Sequence, residues 1–327
     1  MTAVAGGLMS VAEVTALIGT GELLALAADR AVLTRLPRGN WIAGSTPYFM
    51  AEQGGCQDRE RVFVQRFGDL QGHIRRYQPE TLPEVLEEAP EHGLSVLILP
   101  AGSAILEAFA REAPLYPEMY LKPLVGWVAG IAIDDVGSDT AVVVDGRDGC
   151  VAVNEAVVLH LQLPAQLVAN VHAINLFEPG DGPEIRFPRT GFEVSDCLVD
   201  GQPANFAHYL IEQAGAGSLP LVADYCGAMI NVSVQAVEAN GVRFYAPVFE
   251  GVGYRLARPV QDYPVEFLAA MPPRTGPVVF GCNCILNYLN CGLEGRRTEG
   301  LDGPITFGEV GYQLMNQTAV MVTLDGI

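Results

Sequence analysis

Apolar residues along this chain fall in short blocks, either alternating with polar ones or running unbroken, and Gly, Pro, Asn and Asp separate the blocks. Residues 61–67 alternate and predict a half-buried strand; residues 94–99 run unbroken and predict an interior one. Residues 157–163 alternate as well, with Leu159, Leu161 and Leu163 on one face and His160 and Gln162 on the other, which puts His160 in solvent. Extended segments also follow over 40–49 (breaking into a polar turn), 124–133, 140–144, 191–199, 219–234 and 250–257. Asp145-Gly146 and Asp148-Gly149 mark a turn into residues 150–153, and Asn240-Gly241 joins the alternating runs 232–237 and 242–248 as a type I′ hairpin.

Helical spacing is rarer. Ser10-Val11-Ala12-Glu13 fits a capping box, and Val11, Val14, Leu17 and Ile18 share one face, so 10–18 is a short helix closed by Gly19 and Gly21. Asp29 caps a second helix through Leu36, stopped by Pro37 and Gly39. Further helices are expected over 81–88, where Pro83 suits the first turn, after Ser103 with Ile105, Leu106 and Phe109 in register, and over 203–213. Strands outnumber long helices and several adjoin by short turns. The expected class is therefore α+β, two halves of mixed or antiparallel sheets flanked by helices, with α/β/β/α layering as one form. The Gly-, Pro- and acid-rich stretch 177–183 divides the chain into halves 1–183 and 184–327.

Composition narrows the function classes. The 327 residues are half hydrophobic and carry 38 acidic against 19 basic side chains, a net charge of −19. That field repels phosphates and anionic lipid, so neither nucleic acid nor a membrane is expected as a partner. No segment is apolar enough for a membrane span, no basic-then-apolar leader opens the chain, and seven cysteines fit a reducing cytoplasm.

Chemically capable groups are densest over 276–324. An apolar strand leads into Cys282-Asn283-Cys284, a short helix follows with Asn287 and Cys291, and Phe307-Gly308-Glu309 precedes Tyr312 and Asn316-Gln317-Thr318. A helix starting near Asn283 would lower the Cys284 pKa through its dipole and make the thiol a candidate nucleophile, with His208 or Glu309 as base. Asp224-Tyr225-Cys226 is a second thiol cluster, so Cys226 is the alternative nucleophile. Cys282, Cys284 and Cys291 are a candidate metal set, although three thiols with a one-residue first spacer are a poor match to structural zinc. Glycine beside Glu309 allows a ligand to approach closely, and its carboxylate suits an amine or hydroxyl. Ser45, Thr46 and Tyr48, after Trp41, form a matching polar-aromatic cluster in the first half. Haem would need an axial ligand that no C-x-x-C-H fixes here, and the motifs of serine hydrolases, zincins and nucleotide-binding loops are missing.

From Phe192 onward the order of motifs resembles the C-terminal half of FIST-domain proteins, a family of intracellular sensor modules in signal transduction. The resemblance rests on the run from Val199-Asp200-Gly201 through Asn205-Phe206-Ala207-His208-Tyr209, on Pro247-Val248-Phe249-Glu250-Gly251, on the strand into Cys284, and on Phe307-Gly308-Glu309 with Asn316-Gln317-Thr318. Residues 94–99 and 124–130 resemble the family's N-terminal pattern; 1–90 have no counterpart. The family pattern has Arg where this chain has Asn287, which removes a charge from the implied pocket.

The resemblance implies a cytoplasmic small-molecule-binding module without a fused output domain, its ligand an amino acid or small organic acid and its signal passed to a separate protein. Glu309, Asn287, Tyr312 and Cys284, with Ser45, Thr46 and Tyr48, would line the pocket, and Glu309→Ala would abolish binding with folding intact. The alternatives are an enzyme using Cys284 or Cys226 as nucleophile and a sensor carrying haem or a metal.

Overall fold

The structure, a computed structural model, describes residues 6–213, 219–225, 228–238, 241–273 and 276–326. Their α+β fold is mostly sheet, with parallel and antiparallel pairing mixed. The first sheet orders the strands Gly7–Met9, Val62–Arg66, Leu24–Ala28, Trp41–Ser45, Val143–Asp145 and Cys150–Ala152. The second orders Gln313–Met315, Glu309–Gly311, Leu124–Ala129, Gly93–Pro100, Ala156–Gln162 and Gln71–Tyr77. A third orders Leu167–Ile174, Ala319–Gly326, Val278–Cys284, Gly303–Thr306, Tyr48–Ala51 and Gly54–Gln57.

These three sheets turn one face each toward a common core. Ala25, Ile42 and Phe63 come from the first, Ile98, Trp127 and Leu159 from the second, Phe280, Val320 and Val322 from the third. Trp127 and Phe280 stack across it with ring centres 5.9 Å apart. The outer faces are covered by helices: Val11–Ile18 and Arg30–Leu33 on the first sheet, Ala104–Glu112 on the second, Tyr263–Ala270 and Ile285–Asn290 on the third. Strands buried on both faces read as unbroken apolar runs, which is why Leu24–Ala28, Gly93–Pro100 and Leu124–Ala129 have that composition. Residues 177–257 form a separate unit of a six-stranded and a three-stranded sheet around Phe187, Phe206, Phe244 and Tyr254, with the helix Phe206–Glu212.

The chain therefore does not divide at 183 in its hydrogen bonding. Val278–Cys284 and Ala319–Gly326 return to pair with each other, Ala319–Gly326 also pairs Leu167–Ile174, Gly303–Thr306 pairs Tyr48–Ala51, and Glu309–Gly311 pairs Leu124–Ala129. The 177–257 unit is thus inserted into a body made from both ends of the described chain.

Local expectations hold where caps decide them. Ser10 and Glu13 close their capping box, with the Ser10 N–H donating to Glu13 at 2.8 Å. The turn at 145–150 pairs as a hairpin, and the strands on either side of residues 239–240 pair antiparallel, although the Asn240 turn itself lies outside the described residues. Three expectations change. The helix over 81–88 is only a 3-10 turn, Leu82–Glu84, because Pro83 and Pro90 leave room for little more. The helix over 203–213 begins at Phe206, where the Asn205 side chain accepts from the His208 N–H at 3.0 Å, and Gln202–Asn205 is a strand. His160 is fully buried, because the segment from Tyr77 to Ala89 packs over its face of the sheet, with Tyr77 Oη 3.2 Å from the ring.

Candidate functional site

The site begins where two parallel strands of the third sheet end side by side. Val278–Cys284 carries Cys284 opposite Thr306 of Gly303–Thr306, and Cys284 caps the helix Ile285–Asn290. Beyond Thr306 the chain crosses to the second sheet through Phe307 and Gly308, held by the Phe307 N–H to Val128 O (3.0 Å) and the Val128 N–H to Gly308 O (2.8 Å). Glu309 then enters opposite Trp127, and its carboxyl turns back toward Thr306.

Glu309 is 0% exposed. Thr306 Oγ1 lies 3.0 Å from one carboxyl oxygen, the Thr318 N–H donates to the other at 3.4 Å, and the Cys284 thiol is hydrogen-bonded to the same group. Burial holds the Glu309 carboxyl well above its ordinary value, and these hydrogen bonds offset only part of the rise. The same burial, followed by the neighbouring Glu309, pushes the Cys284 thiol well up, although the Leu286 and Gln317 N–H groups favour the thiolate. The expected lowering by the helix start is therefore overturned: desolvation outweighs one six-residue helix.

Around this pair lies a shell of buried amides. The Asn287 Nδ2 group donates to Tyr263 Oη and to Asn283 Oδ1, both at 2.9 Å, and the Cys284 N–H donates to Asn283 Oδ1 at 2.8 Å. Asn287, in place of the arginine that the resemblance implies, thus joins an uncharged network, in which Asn287 Oδ1 and Asn283 Nδ2 have no partner among the described residues. From the inserted unit, Ser233 Oγ donates to Gln317 Oε1 (2.7 Å) and Asn231 Nδ2 to Asn316 O (3.2 Å). Gln317 takes a positive φ of 48° in that turn. The Tyr245 N–H donates to Ser233 O at 3.0 Å, so Tyr245 stands in front of this shell; burial, then Cys284, raises its phenol.

Tyr245 opens onto a cleft of about 630 Å³ between the body and the inserted unit. Phe192, Tyr245 and Phe307, all half-buried, line it, with Ser103 and Leu106 at the start of a helix and Gln235 at the rim. Gly130 is required here: a Cβ on it would stand 1.9 Å from the Phe307 ring. A larger groove of about 1050 Å³ runs along the edges of the first and second sheets, but its arginines are already paired, Arg66 with Glu22 at 2.6 Å and Arg147 with Asp145 at 2.8 Å.

The sequence-based site residues separate into groups. Cys284, Glu309 and Asn287 come together, but behind the cleft and not in its lining. Ser45, Thr46 and Tyr48 are buried and used by the backbone: Ser45 Oγ donates to Gly130 O (2.7 Å), Thr46 Oγ1 to Ile305 O (2.7 Å), and Tyr48 Oη accepts from the Ile133 N–H (3.0 Å). They fasten the body together and do not face the cleft. Tyr312, at φ 66°, packs on Tyr120 with ring centres 5.6 Å apart, away from the others. Cys226 lies outside the described residues. Among the described residues no group of three His, Cys, Asp or Glu side chains is placed to hold a metal, so Cys282, Cys284 and Cys291 do not form one; Cys282 donates instead to Gly126 O. Sequence reading missed Phe192, Tyr245 and Gln235, which sit within ordinary strand patterns.

If Cys284 is as enclosed as this, it alkylates no faster than the other buried thiols. Iodoacetamide labelling at neutral pH, read by peptide mass spectrometry, is expected to reach the half-buried Cys56, Cys150 and Cys291 before Cys284 or Cys282. Fast, selective labelling of Cys284 would restore the nucleophile.

A second buried constellation joins Ser95 Oγ to His160 Nδ1 (2.8 Å), His160 Nε2 to Tyr77 Oη (3.2 Å) and Tyr77 Oη to Glu88 (2.8 Å). Burial, then His73, Arg75 and Lys122, lowers His160 to about 3, so the ring is neutral. No helix among the described residues is long and apolar enough to cross a membrane.

The sequence pattern of a family of unknown function (DUF6976) matches residues 9–325, and the chain belongs to that family. No curated protein matches the sequence.

Proposed function

We propose that this member of a family of unknown function is a small-molecule-binding module whose ligand sits in the cleft between the body and the inserted unit. The observation that carries this reading is the convergence of Phe192, Tyr245 and Phe307, from three separate segments, on one 630 Å³ space. That volume falls inside the range of about 300–1,000 Å³ usual for small-molecule sites, and an aromatic wall with a few polar groups is their usual chemistry. Binding is favoured over covalent catalysis at Cys284 because that residue is 1% exposed and its thiol is held protonated. A ligand touching Phe307 on one side and Phe192 or Tyr245 on the other bridges two packed units, which suits the sensory role that the FIST resemblance implies: differential contact with two arrangements is what lets a ligand shift an equilibrium.

Gln235→Trp tests the site. Gln235 is an exposed rim residue, so the indole fills the cleft without disturbing the core. In a thermal-shift screen of amino acids, organic acids and amines, hits that stabilise the wild type are expected to leave Gln235→Trp unmoved. Equal shifts in both proteins would place the ligand elsewhere.

A further inference from the structure

Resting on that cleft as the binding site, we propose that its ligand is an organic ammonium ion, a cationic nitrogen carried on an apolar body. Four charged side chains reach the cleft: Glu107, Asp139, Glu193 and Arg243. Two are already matched, Asp139 by Arg30 at 3.0 Å and Arg243 by Glu238 at 2.7 Å. Glu107 and Glu193 make no ion pair among the described residues. After internal pairing the cleft therefore presents the carboxylates of Glu107 and of Glu193, the latter across the ladder from Arg243, and four aromatic residues, Phe192, Phe244, Tyr245 and Phe307.

Aromatic faces attract cations and not anions, because the ring quadrupole is negative over its face. The net charge of −19 adds a field of the same sense, drawing cations in and slowing anions. A carboxylate ligand, as the resemblance implies, would find one guanidinium, Arg243, already flanked by Glu238 and Glu193, and would face the Glu107 carboxylate as well.

The helix start at the cleft does not help an anion either. Its Ser103 side chain accepts from the Leu106 N–H (3.2 Å), Asn154 Oδ1 accepts from the Ile105 N–H (3.0 Å), and the Glu107 N–H is bound to Ser103 O (3.2 Å). The Glu107 carboxylate already sits in the first turn, where an anion would otherwise be favoured.

Calorimetric titration of the full chain with 2-phenylethylammonium, 2-phenylethanol and 3-phenylpropionate separates charge from shape. The ammonium is expected to bind about tenfold or more tightly than the alcohol, and the carboxylate more weakly than both. Glu107→Gln with Glu193→Gln should remove about tenfold of the ammonium affinity while leaving the alcohol unchanged. Both positions are exposed, so folding is not at risk. Alcohol or carboxylate binding as tightly as the ammonium, with Gln235→Trp abolishing it, would overturn the charge assignment and leave the cleft standing. Binding of none of the three, or binding indifferent to Gln235→Trp, would overturn both.

Discussion

Glu309→Ala is expected to lower stability by about 3 kcal/mol, and Glu309→Gln by much less. Alanine leaves Thr306 Oγ1, the Thr318 N–H and the Cys284 thiol facing a hole where the carboxyl stood, in a place with no access to water. Glutamine fills the hole and still accepts from Thr318. The alanine variant therefore loses stability along with any binding, so loss of binding in it alone would not place a ligand at Glu309. The pair of variants also has a pH signature. Below the ordinary carboxyl value of 4.5 the folded and unfolded chains both hold the Glu309 proton. Above it the unfolded chain releases the proton and the folded one keeps it. Stability then falls with rising pH by about 1.4 kcal/mol per unit until the raised folded value is reached. Glu309→Gln has no such proton to keep, so its stability relative to the wild type should climb with pH across that window. Urea midpoints measured from pH 4 upward would show it; parallel curves for the two proteins would mean that Glu309 is ionised in the fold.

Gly126→Ala is expected to cost about 3 kcal/mol or more, at the upper end for overpacking. Gly126 lies in the middle of the second sheet, with Leu97 on one side and Val310 on the other, and its carbonyl receives the Cys282 thiol. A Cβ there would stand 1.7 Å from Leu97 O and 2.7 Å from Leu97 C, and both are backbone atoms locked in a ladder. Relief requires the strand Leu124–Ala129 to move, and Trp127 and Glu309 move with it. Gly182→Ala, where a Cβ meets nothing within 4 Å, is the control. A thermal midpoint for Gly126→Ala within a degree or two of the control would contradict the packing described for this strand, since 3 kcal/mol corresponds to roughly 5 °C or more.

The sequence showed strands well because most are buried on one or both faces, and burial leaves the apolar rhythm that periodicity detects. It misjudged His160 because an alternating strand shows only that its two faces differ; Leu82, Val85 and Leu86, from far away in the chain, cover the second face. The neighbours Cys284, Asn287 and Glu309 were legible as a cluster because a single strand-helix-strand passage brings them together. Their role was less so, since whether a thiol and a carboxyl face water or a closed amide shell is decided by Ser233, Asn231 and Tyr263, which come from other elements. Ser45, Thr46 and Tyr48 looked like cleft residues because small hydroxyls and an aromatic ring carry the same residue types whether they bind a ligand or cap strand ends. The cleft itself was invisible, as Phe192, Tyr245 and Glu107 meet only when the inserted unit packs against the body.

The return of residues 303–304 to pair with Phe49 and Met50 also sets a timetable for making the protein. A ribosome adding roughly 5–20 residues each second needs about 13–50 s to travel from residue 50 to residue 303. Until then the strand Tyr48–Ala51 has only its hairpin mate Gly54–Gln57, and Tyr48 and Met50 lack Ile305, Ala319 and Met321 from their core. The inserted unit, with its own core, can close during that wait; the body around it cannot. Phe49 can stack on Phe63 soon after both are made, so Met50, on the other face of the strand, is the side chain whose exposure that wait prolongs.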